Sequence, residues 1–465
     1  MVRDTHTPAG SRKAGVAVLS TVFALLLILG STGLAFSFTL PPSPPTPPEP
    51  SVVIGQTDFN SSVQGGGPAG IGFSNYVAVD NSGNLWVSDY QNGWVSEFTP
   101  LFANGESAAL QIGAANYTIG QCATGNALCE PSGIAFDPSG NLWAADGSNA
   151  SIQEFKAPFS VGEASSVFLG GFYLDHPPNA TNFGPAGLAF DSSGNLWVAD
   201  PGFGRILEFT PPFSNRMAAS LVIGQPDLSS NSNTNNQSML YEPNALTFDS
   251  KGNLWVADTG DNRILEFQTP FSNGESASVS LGQPNLSSTM ANTTQSTLDS
   301  PEGLAFDTHG NLWVADTDNN RVVEFVAPFA TGMGATVVLG QDSYFSSGLG
   351  TSQSLLYGPE SVAAAAGGNI WVDDTENYRA LLFVDPASAA TSTTTTSSFT
   401  LTLPTSSTST TAPSTTASQT QTTSTASTTS QGIPAFPYQL AAAGAFMAVL
   451  AGAYIFMRRR NLPEA

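Results

Sequence analysis

Positive charge is the scarcest feature of this sequence. Of 465 residues, 13 are Lys or Arg against 36 Asp or Glu, the net charge is −23, and only 11% of the chain is charged. Six of the basic residues (Arg3, Arg12, Lys13, Arg458, Arg459, Arg460) lie outside 51–385, which leaves that stretch seven against 33 acidic residues. A surface of that sign repels phosphate backbones, so no nucleic acid is expected as a partner. Histidine is rarer still, at three residues. His6 precedes the first apolar run, and His176 and His309 fall on different connections, so no histidine set can converge on a metal. The sequence has no His-Glu-x-x-His, no Gly-x-Ser-x-Gly and no Gly-x-x-x-x-Gly-Lys. There are two cysteines, Cys122 and Cys129, in a Gly/Asn/Ala-rich loop; they read as a small loop-stapling disulfide in an oxidising compartment.

Long apolar runs occur only at the two ends. Residues 1–13 carry Arg3, Arg12 and Lys13, and 14–38 then run without charge around Phe23-Ala-Leu-Leu-Leu-Ile-Leu29. This run is either a signal peptide, with Gly33-Leu-Ala35 as a small-residue cleavage site, or an uncleaved anchor. Residues 39–50 include Pro41-Pro-Ser-Pro-Pro-Thr-Pro-Pro48, a stiff extended linker. At the other end, 31 of the 47 residues in 386–432 are Ser or Thr and none is charged, so a disordered stalk is expected. Residues 433–457 read as a transmembrane helix. Arg458-Arg-Arg460 opens the tail 458–465 and places it in the cytoplasm. The expected location is the cell membrane, held by one or two spans, with 51–385 outside the cell.

Between the tethers, Gly-Asn-(Leu/Ile)-Trp recurs at Gly83, Gly140, Gly194, Gly252, Gly310 and Gly368, with steps of 57, 54, 58, 58 and 58 residues. A fixed period of this size marks a repeat architecture. In the fourth copy, strands are predicted at Ala245–Asp249, Asn253–Asp258, Arg263–Phe267 and Ser278–Leu281, with turns at Ser250-Lys-Gly252 and Thr259-Gly-Asp-Asn262. Four short antiparallel strands make one propeller blade. The outer-strand signature ending in Gly appears six times, but its first instance, Val52-Val-Ile-Gly55, precedes every Gly-Asn-Trp core, and the sixth copy ends at Phe383 without one. Val52–Gly55 is therefore predicted to complete the sixth blade.

Stretches such as Pro301-Glu-Gly-Leu-Ala-Phe-Asp307 followed by Gly310-Asn-Leu-Trp-Val-Ala-Asp-Thr-Asp-Asn-Asn-Arg-Val-Val323 resemble NHL repeats across about 51–385. The resemblance implies an all-β, six-bladed β-propeller. It does not fix a function, because the family spans interaction modules, sensor domains and some enzymes. The zinc-binding histidine set of the family's amidating lyases is not matched. Strand alternation puts both tethers on one face of the disc. The other face receives the long loops 56–72, 114–130, 171–184, 225–242, 283–300 and 341–358.

That loop face holds the candidate functional residues. All seven Asn-x-Ser/Thr sequons lie on it, as glycosylation candidates: Asn60, Asn116, Asn149, Asn179, Asn236, Asn285 and Asn292. Asp200, Asp258, Asp316 and Asp374 each have an arginine five positions on (Arg205, Arg263, Arg321, Arg379), read as structural pairs capping turns. Trp94 and Ser151 stand where the first two copies would have that arginine, so Asp89 and Asp146 are expected to be freer to meet a cation. The six repeat tryptophans read as inter-blade packing. Asn75, Ser132, Ala186, Asn244, Glu302 and Glu360 are expected to ring the mouth of the central channel. Asn75, Asn244, Glu302 and Glu360 offer hard oxygen ligands that suit calcium, and no other cofactor is expected. The leading expectation is a binding or structural module of the cell envelope that presents this face to envelope proteins or glycans. The alternative is a calcium-dependent lactonase or esterase like the gluconolactonases and paraoxonases, also six-bladed.

Overall fold

A computed structural model of the chain describes residues 36–39, 47–113, 128–170, 178–232, 236–387 and 398–401. By contacts, Phe36–Leu401 forms one unit. Six four-stranded antiparallel sheets make up the propeller. Blade one is Ser74–Val79, Leu85–Asp89, Trp94–Phe98 and Leu110–Ile112, and blade two Pro131–Phe136, Leu142–Asp146, Ser151–Phe155 and Val167–Gly170. Blade three is Leu188–Phe190, Leu196–Asp200, Arg205–Phe209 and Leu221–Ile223, and blade four Pro243–Phe248, Leu254–Asp258, Arg263–Phe267 and Val279–Leu281. Blade five is Pro301–Phe306, Leu312–Asp316, Arg321–Phe325 and Val337–Leu339. In blade six, Pro359–Ala364, Ile370–Asp374 and Arg379–Phe383 are completed by Val52–Ile54 from the start of the chain, with Val52 opposite Leu382 and Ile54 opposite Ala380.

The second strand of every blade is buried along its whole length, because neighbouring blades cover both of its faces. Five of the six repeat tryptophans meet aromatic rings of the following blade edge-on: Trp197 lies 5.7 Å from Phe248 and 4.9 Å from Phe271, and Trp371 of blade six lies 5.0 Å from Phe102 of blade one. Trp313 instead packs with Ala364 and Ala387 of blade six. The indole nitrogens of Trp86, Trp143, Trp197 and Trp313 find acceptors where the first strand turns back. Asp191 Oδ1 takes the amides of Ser193 and Asn195, and its Oδ2 takes Asn195 Nδ2 and Trp197 Nε1. That turn closes on Gly194 at φ +80°.

The inner strands approach one another closely enough to dictate side-chain size. A Cβ on Gly303 would stand 2.5 Å from the carbonyl oxygen of Glu360, and one on Gly187 2.5 Å from that of Asn244. Outer strands are latched by the next blade along: Val222 N donates to Asn273 Oδ1 (3.0 Å), and Gly332 N to Ser280 O (3.1 Å). The closing strand is held in the same way, by Asn104 Oδ1 on Val53 N and Gly105 N on Val53 O. No outer edge so latched offers a free template for another chain.

Because Val52 pairs with Leu382, the chain enters and leaves the propeller from the same face. Phe36–Thr39 and Ser398–Leu401 then form a two-stranded antiparallel sheet with Phe36 opposite Leu401. Composition places the second of these segments within an unstructured stalk, yet both alternate apolar and hydroxyl side chains, the period of a strand. Among the described residues no helix is long and apolar enough to cross a membrane. The expected span 433–457, the tail 458–465, nearly all of the run 14–38, Cys122 and Asn116 lie outside the described residues.

Val53 and Ile54 are fully buried, and burial of each is worth roughly 1.5–3 kcal/mol. Deleting 51–56 should therefore lower the melting temperature by about 5 °C or more. An unchanged transition in a thermal melt would show that the sixth blade does not need this strand.

Candidate functional site

The mouth of the channel on the loop face is built from backbone irregularities. In blades one, two, four, five and six the register of the first strand slips at its start, between Ser74 and Tyr76, Pro131 and Ile134, Pro243 and Ala245, Pro301 and Gly303, and Pro359 and Ser361. Asn75, Ser132, Asn244, Glu302 and Glu360 occupy these slips, where a bulge re-aims a side chain out of the sheet's alternation. Ala186 precedes a first strand that begins only at Leu188.

Three of the four candidate cation ligands are brought together. Asn244 Nδ2 lies 3.4 Å from Glu302 Oε2. Glu302 is raised to about 7 by burial and then by the charge of Asp318. Glu360 is raised to about 10 by burial, with Glu302, Asp373 and Glu376 adding repulsion. Asn75 makes no side-chain hydrogen bond to the other three, and its Oδ1 is buried without a donor. Among the described residues no three His, Cys, Asp or Glu side chains converge as a metal-holding group. A cavity of about 480 Å³ opens beside Asn244 and Glu302 and is lined also by Tyr241, Glu242 and Thr259.

Around the mouth, the loops are fixed by buried ion pairs. Arg205, Arg263, Arg321 and Arg379 place Nε 2.6–2.7 Å from Oδ2 of Asp200, Asp258, Asp316 and Asp374, with both partners buried in every case. The rest of each guanidinium is spent on carbonyls of two successive loops. Arg321 donates to Tyr344 O on one side and to Thr294 O and Thr297 O on the other. A rigid fork of five donors suits this work, which a lysine could not do. The other carboxylate oxygen caps the incoming loop: Asp258 Oδ1 accepts Tyr241 N at 2.7 Å and Asp374 Oδ1 accepts Tyr357 N at 2.7 Å.

Asp89 and Asp146, expected to be freer, are not. Asp89 accepts the amides of Gly72 and Asn92 and the Asn92 side chain, and Asp146 accepts the amides of Cys129 and Glu130 and the Asn149 side chain. The side-chain donor is an asparagine three positions on, which in blades five and six (Asn319, Asn377) bonds the aspartate alongside the arginine. Asn149 Nδ2 is thereby committed to Asp146 at 2.7 Å, the atom a glycan would need. The other described sequon asparagines (Asn60, Asn179, Asn236, Asn285 and Asn292) are exposed.

Two features escape a reading by repeat. A glutamine after each of four outer strands ties its own loop through reciprocal bonds seven residues apart: Gln56 with Val63, Gln225 with Ser232, Gln283 with Met290 and Gln341 with Gly348. The second is Asp373, which is fully buried in blade six where the other blades have Ser88, Ala145, Ala199, Ala257 and Ala315. Its Oδ1 accepts from Ser74 Oγ of blade one at 2.5 Å. Burial raises it to about 7, with Asp374 and Asp89 adding to the rise. Its signal in the sequence is the Asp-Asp pair of Trp371-Val-Asp-Asp374, visible only with the six copies aligned.

The NHL-repeat family profile matches residues 128–155, 240–267 and 298–325. No curated protein matches the chain. Among solved structures, a catalytically inactive virginiamycin B lyase from Staphylococcus aureus with quinupristin is 12% identical with a TM-score of 0.40, over 76% of this chain and 88% of that one. A streptogramin B lyase is 12% identical with a TM-score of 0.42, over 75% and 97%. A Bacteroides thetaiotaomicron protein of unknown function is 10% identical with a TM-score of 0.50, over 71% and 75%, a likeness of fold alone.

The raised carboxyls at the mouth make a signed prediction. Glu302, Glu360 and Asp373 hold their protons in the folded chain to pH values at which the unfolded chain has released them. The folded state then binds more protons, so their contribution falls as pH rises from about 4 through 7. The melting temperature of a Glu302→Gln, Glu360→Gln variant should fall less steeply over pH 4–8 than that of the wild type. Parallel curves would mean that neither carboxyl is perturbed.

Proposed function

We propose that the propeller is a tethered binding or structural module of the cell envelope, presenting its loop face to envelope proteins or glycans. The observation that carries this reading is the rigid bracing of that face. Four buried Asp–Arg pairs and four glutamine ties hold the loops in fixed positions, and preorganised loops lose little freedom on binding a partner. The apolar runs 14–38 and 433–457 supply the tethers in this reading, with the tail 458–465 in the cytoplasm. A Cys122–Cys129 disulfide would staple one loop, and the exposed sequons would carry glycans at the rim.

The second reading, a calcium-dependent lactonase or esterase, is favoured by one contact set: Asn244 against Glu302, with Glu302 repelling Glu360 across the mouth. Two carboxylates and an amide are oxygen donors of the kind calcium takes.

The full chain immobilised on beads should retain an envelope component from solubilised cells, and a chelator should leave that retention unchanged. Lactone turnover by the same sample, abolished by chelation and restored by calcium, would favour the second reading. Retention that is equal after the loop-face substitution Phe345→Glu would move the contact off this surface.

A further inference from the structure

We propose that the cavity between blades three and four on the loop face is a subsite for one neutral sugar residue, an N-acetylated hexose of an envelope glycan. The assignment rests on the loop face being a binding surface and names what that surface recognises.

The cavity opens where two side chains that close the next two seams are missing. Between blades four and five, Thr259 Oγ1 donates to Pro301 O at 2.7 Å. Beside it, Asn262 Oδ1 accepts Ser300 N at 2.8 Å and Asn262 Nδ2 donates to Thr289 O at 3.0 Å. Between blades five and six, Thr317 Oγ1 donates to Pro359 O at 2.8 Å, and Asn320 bonds Gly358 N at 2.9 Å and Ser347 O at 3.1 Å. At the seam of blades three and four the same two positions are Pro201 and Gly204. The backbone keeps its course. Gly204 sits at φ +58°, against +56° for Asn262 and +52° for Asn320. Glu242 sits at φ +52°, against +50° for Ser300 and +55° for Gly358. Glu242 N and Pro243 O therefore face the place that an asparagine and a threonine fill in the other two seams. Here that place has no side chain, and a cavity of about 480 Å³ opens beside Pro201 and Gly204. Among the described residues Glu242 N has no acceptor.

The walls decide the ligand. Tyr241 is 40% exposed, and its ring lies over Gly260, where a Cβ would stand 2.5 Å from Cδ1 of the ring. Blades five and six carry Asp318 and Glu376 at that position, so the glycine clears room for an aromatic platform. An aromatic face backed in this way takes the C–H side of a sugar ring. On the inner wall Asn244 Nδ2 lies 3.4 Å from Glu302 Oε2. Burial and then the charge of Asp318 raise Glu302 to about 7, so near neutral pH its carboxyl gives as well as takes a hydrogen bond. A cation would leave the Glu242 amide without an acceptor. An anion would meet two carboxyls and no basic side chain among the lining residues. A neutral ligand with an acetamido carbonyl and hydroxyls supplies an acceptor for Glu242 N and a donor for Pro243 O, replacing the missing asparagine and threonine in kind. The volume falls within the range of about 300–1,000 Å³ usual for small-molecule sites.

Saturation-transfer NMR on the full chain at pH 7 tests this with the methyl glycosides of N-acetylglucosamine, N-acetylgalactosamine and glucose as probes, and with N-acetylthreonine methylamide as the peptide counterpart. Transfer should reach the ring protons and acetyl methyl of at least one amino sugar, be weaker for the glucoside and be absent for the threonine amide. Asn244→Ala installs the residue that blade three has at this position (Ala186), and Pro201→Thr installs that of blades four, five and six. Both should fold with an unchanged melting temperature, and each should weaken amino-sugar binding about fivefold, the loss of one hydrogen bond. Tyr241→Ser should abolish transfer to the ring protons. Gly204 is left in place because a Cβ there would stand 2.6 Å from Leu240 O. No transfer to either amino sugar, or equal binding by wild type and Asn244→Ala, overturns the proposal. So does tighter binding of the threonine amide than of the sugars, or displacement of bound sugar by calcium chloride. If beads retain an envelope component while neither amino sugar binds, the binding-module reading stands and the sugar subsite falls.

Discussion

A sheet with apolar side chains on both faces cannot stand alone, and every blade of this protein is such a sheet. Leu-Trp-Val-Ala-Asp, or a variant of it changed at one or two positions, runs through the middle of each repeat with no solvent side, so each blade is stable only between two others. That constraint forces a closed ring. It explains why Val52–Ile54 is taken from the far end of the chain, why inner-strand glycines touch neighbouring carbonyls, and why the repeat tryptophans pack against the next blade, five of them on its phenylalanines. The ring in turn fixes where everything else can be: long loops on one face, the entry and exit of the chain on the other, and a narrow mouth where the first strands begin.

The fold was legible because the repeat states it six times. The Gly-Asn-Trp period gave the blades, and the unpaired Val52-Val-Ile-Gly55 gave the closure. What could not be read depends on geometry that period alone does not set. Alternation along a strand predicts which face a side chain takes, but the slips at Asn75, Asn244, Glu302 and Glu360 break that alternation at the mouth. The bonding of Asp89 and Asp146 was hidden because it rests on an asparagine three positions on, Asn92 and Asn149, a donor that Asn319 and Asn377 repeat beside the arginines of blades five and six. The pairing of Phe36–Thr39 with Ser398–Leu401 joins two segments more than 350 residues apart, which local composition cannot anticipate.

The mouth shows two opposite treatments of buried acid within one molecule. Asp200, Asp258, Asp316 and Asp374 are neutralised internally, each by its own arginine, and serve to hold backbone in place. Glu302, Glu360 and Asp373 have no such partner, and their environment pushes them toward the protonated form. Structural ion pairs are self-contained, whereas an uncompensated cluster in a cleft marks where chemistry from outside can enter.

The antiparallel register of Val52 with Leu382 has a mechanical side. Both ends of the propeller chain sit next to each other on one sheet edge, so a tug on one end against the other would peel that ladder open bond by bond. Tension shared by the two ends and resisted at the loop face would instead run through the whole ring. Anchoring at both ends would spare the closing strand the one direction of force in which it is weakest.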